Sequence, residues 1–169
     1  MRIDVRQSPE LQAAILAMRT VDRTIRKMVR QQVKATATPE WKKGLAERAD
    51  TRLQHRVLVD TAAVTPSDQN LRIQSAMKGR PLSGGFEPKY DWHAAEFGAD
   101  RNRVMKYTRR SRNGGRHRVE RRIGNGLPAR NTAGHVFYPT AANMIPRFAS
   151  LIVQTTVRTI ATALEGRQE

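Results

Sequence analysis

Residues 101–126 read RNRVMKYTRRSRNGGRHRVERRIGNG, and this stretch predicts a basic arm on a body of more ordinary composition. The wider segment 101–130 has eleven Lys or Arg residues and one acidic residue, Glu120, so it carries +10 of the protein's net charge of +16. It has too few apolar side chains to bury a core of its own. Its arginines are therefore expected to face water or an anionic partner.

The same stretch has the pattern of a β-hairpin. Asn113-Gly114 is a strong signal for a two-residue turn, and residues that favour strands lie on both sides of it, at Val104, Tyr107, Val119 and Ile123. We predict a long, protruding hairpin within a basic insertion at 100–130. The residues predicted to contact a polyanion or a partner are Arg109, Arg110, Arg112, Arg116, Arg118, Arg121 and Arg122.

The length of 169 residues suits one domain, 1–169, and the charge outside the arm is far less one-sided. The absence of cysteine excludes disulfides and thiolate metal sites. No stretch approaches the roughly 18 apolar residues of a membrane span, and the N-terminal residues lack the apolar region of a secretory signal. We expect a protein of the cytoplasm or of a particle assembled there.

Three segments have the signals of helices. Ser8-Pro9-Glu10 is a start signal for a long amphipathic helix reaching about Lys34, and Thr38-Pro39-Glu40 repeats the signal for a shorter one. A third helix is predicted from Pro146 to about Leu164. The two long helices are expected to share a core formed by Leu11, Ile15, Met18, Ile25, Phe148, Ile152, Val157 and Ile160.

Between the helices the apolar period changes to two, which is typical of strands. One strand is predicted around Val57 and Val59, one at 71–77, and a brief one at 135–138, while 90–98 is expected to dock on the core. The predicted fold class is α+β. A long N-terminal amphipathic helix and a C-terminal helix pack on a small antiparallel sheet, from which the basic hairpin protrudes.

Nothing in the sequence has the pattern of a catalytic, cofactor-binding or metal site. His93 and Glu96 are three residues apart, but no second acidic or His-rich cluster accompanies them. The phosphate-loop pattern GxxxxGK[ST] is absent, and no nucleophile motif lies near a histidine. We therefore expect neither an enzyme nor a bound cofactor.

The aromatic residues at 90–97 allow two interpretations. They can stack on bases, as aromatic residues beside basic ones do in single-strand binders. Acidic neighbours at Asp91, Glu96 and Asp100 would repel phosphate, which favours packing in the core or between subunits. The arginines of the arm likewise have a second interpretation, as a solvated surface without a partner.

One family resemblance covers about half of the chain. Tyr90 to Ala99 (YDWHAAEFGA), followed by Leu127-Pro128-Ala129-Arg130 and a C-terminal helix, resembles a pattern of the neck or tail-completion proteins of long-tailed bacteriophages. That pattern is a tyrosine, apolar residues and Glu-Phe/Tyr-Gly-Thr, and a long amphipathic N-terminal helix precedes it. Ala99 in place of threonine and the basic insertion depart from it.

The resemblance implies a structural virion protein, a head-tail connector or minor tail component. Such a protein forms a ring, with six subunits expected, between the capsid portal and the tail tube, and meets adjacent neck and tail proteins and packaged double-stranded DNA. The interface between subunits is expected at Trp92, Glu96, Phe97 and Gly98. The alternative is a small basic protein that binds nucleic acid outside a virion.

Overall fold

The computed structural model describes residues 1–4, 23–68, 70–122, 124 and 126–165. Helices and two small antiparallel sheets make up the described chain, so the predicted α+β class is confirmed. In chain order the elements are β1 (Arg2–Asp4), α1 (Arg23–Ala46), α2 (Arg52–Gln54), a π-helical turn (His55–Val59), β2 (Ala63–Pro66), β3 (Leu71–Gln74), α3 (Pro88–Phe97), β4 (Val104–Arg110), β5 (Arg116–Arg122) and α4 (Phe137–Glu165).

Helix α1 continues through Pro39, so the prediction of a separate helix starting at Thr38 is wrong. Proline removes one backbone hydrogen bond from a helix interior. An unbroken stripe of buried residues offsets that loss, because it runs across the proline at four-residue spacings. The stripe is formed by Val29, Val33, Ala37, Trp41 and Leu45. The predicted helix start at Ser8 and the core positions Leu11, Ile15 and Met18 lie outside the described residues.

Helix α4 packs along α1 and begins nine residues before the predicted start at Pro146. The brief strand predicted at 135–138 is therefore wrong, since Phe137 already opens the helix. Phe148 and Ile152 are buried in the core as predicted, with Ile25 partly buried against it. Val157 is 63% exposed and does not belong to the core.

Gly44 lets the two long helices approach closely. A Cβ atom added there would lie 2.6 Å from Cε of Met144, which is closer than real carbon atoms pack. The hydroxyl of Thr140 donates a 3.4 Å hydrogen bond to the carbonyl of Gly44 across the same contact. Trp41 and Phe137 meet edge to face beside it, with their ring centroids 5.2 Å apart.

The three-stranded sheet has the order β1-β3-β2, and both pairs are antiparallel. Leu71 and Ile73 point into the core, as the predicted strand requires. The strand predicted around Val57 and Val59 is instead the π-helical turn. A capping box explains the difference, because Thr51 accepts the N–H of Gln54 at 3.2 Å and starts a helical turn that continues through these valines.

The basic segment forms the predicted hairpin, as a separate two-stranded sheet. Val104 pairs with Arg122 at one end and Arg110 pairs with Arg116 at the other. The turn differs from the two-residue prediction. The N–H of Ser111 donates to the Gly115 carbonyl at 2.6 Å, which leaves a three-residue loop at 112–114. Gly114 takes the positive φ of 83° that such a loop needs at its third position.

Candidate functional site: the basic hairpin and its base

The base of the hairpin is held by hydrogen bonds between the segments before and after it. The N–H of Ala99 donates to the carbonyl of Pro128 at 3.0 Å, and the N–H of Asn131 donates to the carbonyl of Phe97 at 2.8 Å. The guanidinium of Arg101 adds contacts of 3.3 Å to the Leu127 carbonyl. These bonds fix both ends of the insertion to the body.

Glu96 connects this base to helix α4. Its carboxylate accepts the N–H of Phe137 at 2.9 Å, that of Tyr138 at 3.1 Å and that of Val136 at 3.2 Å. These groups belong to the first turn of a helix, where N–H groups have no partner within the helix and the dipole favours an anion. Glu96 has no exposed surface. It is an internal cap, so its predicted place at a subunit interface is wrong for this side chain.

Two glycines make room for this arrangement. Gly98 has φ 70° and ψ −167°, a region that only glycine adopts readily, and an added Cβ would overlap the carbonyl oxygens of Pro128 and Ala129. At Gly134, with φ 83°, an added Cβ would overlap a carboxylate oxygen of Glu96. The sequence analysis missed Gly134. The sequence feature that could have identified it is a glycine shortly before the apolar residues Val136 and Phe137. In the structure the side-chain amide of Asn131 donates to the Gly134 carbonyl at 3.0 Å.

The aromatic residues of α3 pack mainly on their own subunit. Phe97 lies 5.5 Å from the ring of Tyr138 and 6.1 Å from that of Trp92, measured between centroids. Trp92 and Phe97 are half-buried, which leaves part of each ring exposed beside Gly98. Their place at a subunit interface stays a prediction. Tyr90, by contrast, is 63% exposed, and the Nζ of Lys89 lies 5.3 Å from the centroid of its ring.

The hairpin has two faces of different chemistry. Side chains alternate along a strand, and residues paired across an antiparallel ladder share a face. We call one side the cationic face, and it consists of Val104, Lys106, Thr108, Arg110, Arg116, Arg118, Glu120 and Arg122. We call the other the mixed face, and it consists of Met105, Tyr107, Arg109, His117, Val119 and Arg121.

The cationic face carries five basic residues and one acid, whereas the mixed face carries two arginines and no acid. Lys106 is paired with Glu120 at 2.9 Å, and Arg118 reaches the same oxygen at 4.0 Å. Within the described residues, the other six predicted arginines meet no carboxylate. They are all exposed, as the strand and turn positions require. Their like charges repel one another, which an anionic partner would relieve.

The mixed face has an apolar centre. Met105 is 51% exposed and Tyr107 is 38% exposed, and Val119 lies directly opposite Tyr107. Arg109 and Arg121 lie at its two ends. A row of apolar and aromatic side chains flanked by arginine has the composition of a protein contact.

The described residues offer no other site of this kind. No group of three His, Cys, Asp or Glu among them could hold a metal ion, and both oxygens of Glu96 are occupied by backbone N–H groups. In the same residues, no helix is long and apolar enough to cross a membrane. A comparison of the chain with protein-family models, curated proteins and solved structures finds no significant match.

Proposed function

We propose that the chain is a structural protein of a tailed-phage neck, a head-to-tail connector or tail-completion subunit. In this proposal the folded body assembles into a homo-oligomeric ring between the capsid portal and the tail tube, with six subunits expected. The hairpin extends from each subunit toward a neighbouring component or the DNA channel. The protein performs no catalysis, needs no cofactor and is part of the virion.

The observation that carries the proposal is the contact between 96–99 and 127–131. These are the two segments on which the resemblance rests, and the 27 residues 100–126 separate them in the sequence. Direct hydrogen bonds join them, from Ala99 to Pro128 and from Asn131 to Phe97. This supports their interpretation as one structural motif with the basic hairpin inserted between its halves.

A second candidate function is that of a nucleic-acid-binding protein that acts outside a virion. The cationic face favours it, because exposed arginines without carboxylate partners are the usual contacts to phosphate. The two candidates differ in assembly. A neck subunit forms rings through its body, whereas the free binder remains small and needs only its hairpin.

Native mass measurement and negative-stain imaging test the proposal. We expect a closed ring of roughly 115 kDa for six copies of the 19.1 kDa chain, with a central channel. A protein that stays monomeric at every concentration and does not co-sediment with virions would contradict it.

A substitution at the predicted interface sharpens the test. Phe97→Asp places a charge on the half-exposed ring beside Gly98, and we expect it to prevent ring formation. Tyr90→Asp is the control, because it introduces the same charge at a more exposed aromatic residue of the same helix. Both variants are first compared with the wild type in thermal unfolding, so that a loss of folding is not mistaken for a loss of assembly. A folded Phe97→Asp variant that forms normal rings would remove this residue from the interface.

A further inference from the structure

We propose that the cationic face of the hairpin binds the phosphate backbone of double-stranded DNA, while the mixed face takes no part in that contact. The inference builds on the proposed function, since it names the ligand of the arm. It rests on a distinction that the sequence alone does not make, namely which arginines share a face.

The dimensions of the cationic face suit a duplex. Its four positions on each strand span about 20 Å, since residues on one face repeat about every 6.7 Å along a strand. The two rows lie about 5 Å apart. Duplex DNA presents one phosphate per roughly 1.7 Å of axis, so about a dozen lie within that length. A two-stranded ribbon also fits the major groove, whose walls are the two phosphate backbones.

The charges on this face are placed where folding does not favour them. Arg110 and Arg116 are directly paired across the ladder, and like charges in such a pair destabilise a hairpin. Arg122 lies at the other end of the face with no carboxylate partner among the described residues. A guanidinium binds a phosphate through two parallel hydrogen bonds, which would offset this repulsion.

The choice of DNA over an acidic protein follows from the difference between the two faces. A protein interface has an apolar or aromatic centre. The hairpin has such a centre on the mixed face, at Met105, Tyr107 and Val119. The middle of the cationic face has none, because Lys106, Thr108, Arg118 and Glu120 occupy it. Because the proposed contacts go to phosphate and not to base edges, we expect binding that depends little on base sequence.

Two double variants separate the faces. Arg110→Ser with Arg122→Ser removes two charges from the cationic face, and Arg109→Ser with Arg121→Ser removes two from the mixed face. The pairs are neighbours in sequence, all four arginines are exposed, and none has an ion pair among the described residues. Net charge, residue type and distance from the turn are therefore matched, and only the face differs.

Binding of each full-length protein to a mixed-sequence duplex of about 30 base pairs is measured by fluorescence anisotropy over a salt series. The logarithm of the association constant falls linearly with the logarithm of the salt concentration, and for the cationic-face variant we expect this slope to be less negative by about 1.8. We also expect its affinity at low salt to be at least about tenfold lower. For the mixed-face variant we expect a slope change below about 0.5. Equal losses in the two variants, or no duplex binding by the wild type, would overturn the proposal.

Competition with polyglutamate tests the alternative partner class. If polyglutamate at equal charge concentration displaces the duplex as well as unlabelled DNA does, the face recognises acidic polypeptide equally and the proposal is wrong. Native mass is recorded for the same proteins. Rings that do not bind DNA would contradict this inference alone, whereas DNA binding by a strict monomer would contradict the proposed neck function alone.

Discussion

The carboxylate of Glu96, near the end of α3, accepts the backbone N–H of Phe137, the first residue of α4, at 2.9 Å. A side chain from one helix thus satisfies the free N–H groups of another. The buried carboxylate lies at the positive end of the α4 dipole, where three backbone N–H groups donate to it.

Replacing this carboxylate should destabilise the fold strongly. Glu96→Ala leaves three N–H groups without this acceptor, two of them buried and one partly buried, and we expect a loss of at least about 3 kcal/mol in the free energy of unfolding. Glu96→Gln keeps one acceptor oxygen and should lose less. Glu40→Ala, at an exposed position of α1, is the control and should change stability by less than about 0.5 kcal/mol. Urea unfolding measures all three, and equal stability of Glu96→Ala and wild type would contradict the capping role.

Gly98 should tolerate no side chain. Gly98→Ala adds a Cβ that overlaps two carbonyl oxygens and also demands a left-handed backbone, so we expect a loss of about 3 kcal/mol or more. Gly85→Ala is a control for a positive φ without crowding, because Gly85 has φ 80° with nothing within 4 Å of an added Cβ. It should lose only about 1 kcal/mol. Similar losses for the two variants would show that crowding at the hairpin base is unimportant.

The exposed and buried faces of α4 can be compared within one helix. Phe148 is 2% exposed and Val157 is 63% exposed. Phe148→Ala should lower the free energy of unfolding by about 3–5 kcal/mol, because it opens a cavity in the core. Val157→Ala should change it by less than about 0.5 kcal/mol. A large effect at Val157 in the isolated subunit would contradict its exposed position on α4.

The arginines of the hairpin should be dispensable for folding. Changing all seven predicted contact arginines to serine removes like charges from an element whose side chains are almost entirely exposed. The thermal midpoint should stay within about 4 °C of the wild type, or rise slightly as repulsion is relieved. Calorimetry checks this. A fall well beyond that range would show that these residues support the body as well as a partner contact.

The residue pattern of a segment predicted its structure where that structure depends on the segment's own residues. The alternation at Leu71 and Ile73 depends on burying one face of a strand, and it was readable in the sequence. The stripe that continues from Val33 to Leu45 was not, because Pro39 has the pattern of a helix start. The start of α4 was not readable in this way. It depends on Glu96, which is 41 residues from Phe137, and without that cap the segment 135–138 has the composition of a strand.

The candidate site, too, was predicted only in part. Charge counting identified the arginines, because composition alone shows where like charges concentrate. It could not place Arg110 and Arg116 on the same face, since the pairing between the two strands depends on the register set by the turn at Ser111 and Gly115. A shift of one residue would exchange every side chain between the faces.

The hydrogen bonds between Ala99 and Pro128 and between Asn131 and Phe97 close the body beneath the hairpin. Insertions, deletions or charge reversals between these anchors would therefore leave the helices and the three-stranded sheet in place. Selection can act on the two parts separately, because folding constrains the body and leaves the exposed arm free to change. Among relatives of this chain we expect the arm to vary in length and charge, while Glu96, Gly98 and Gly134 are retained.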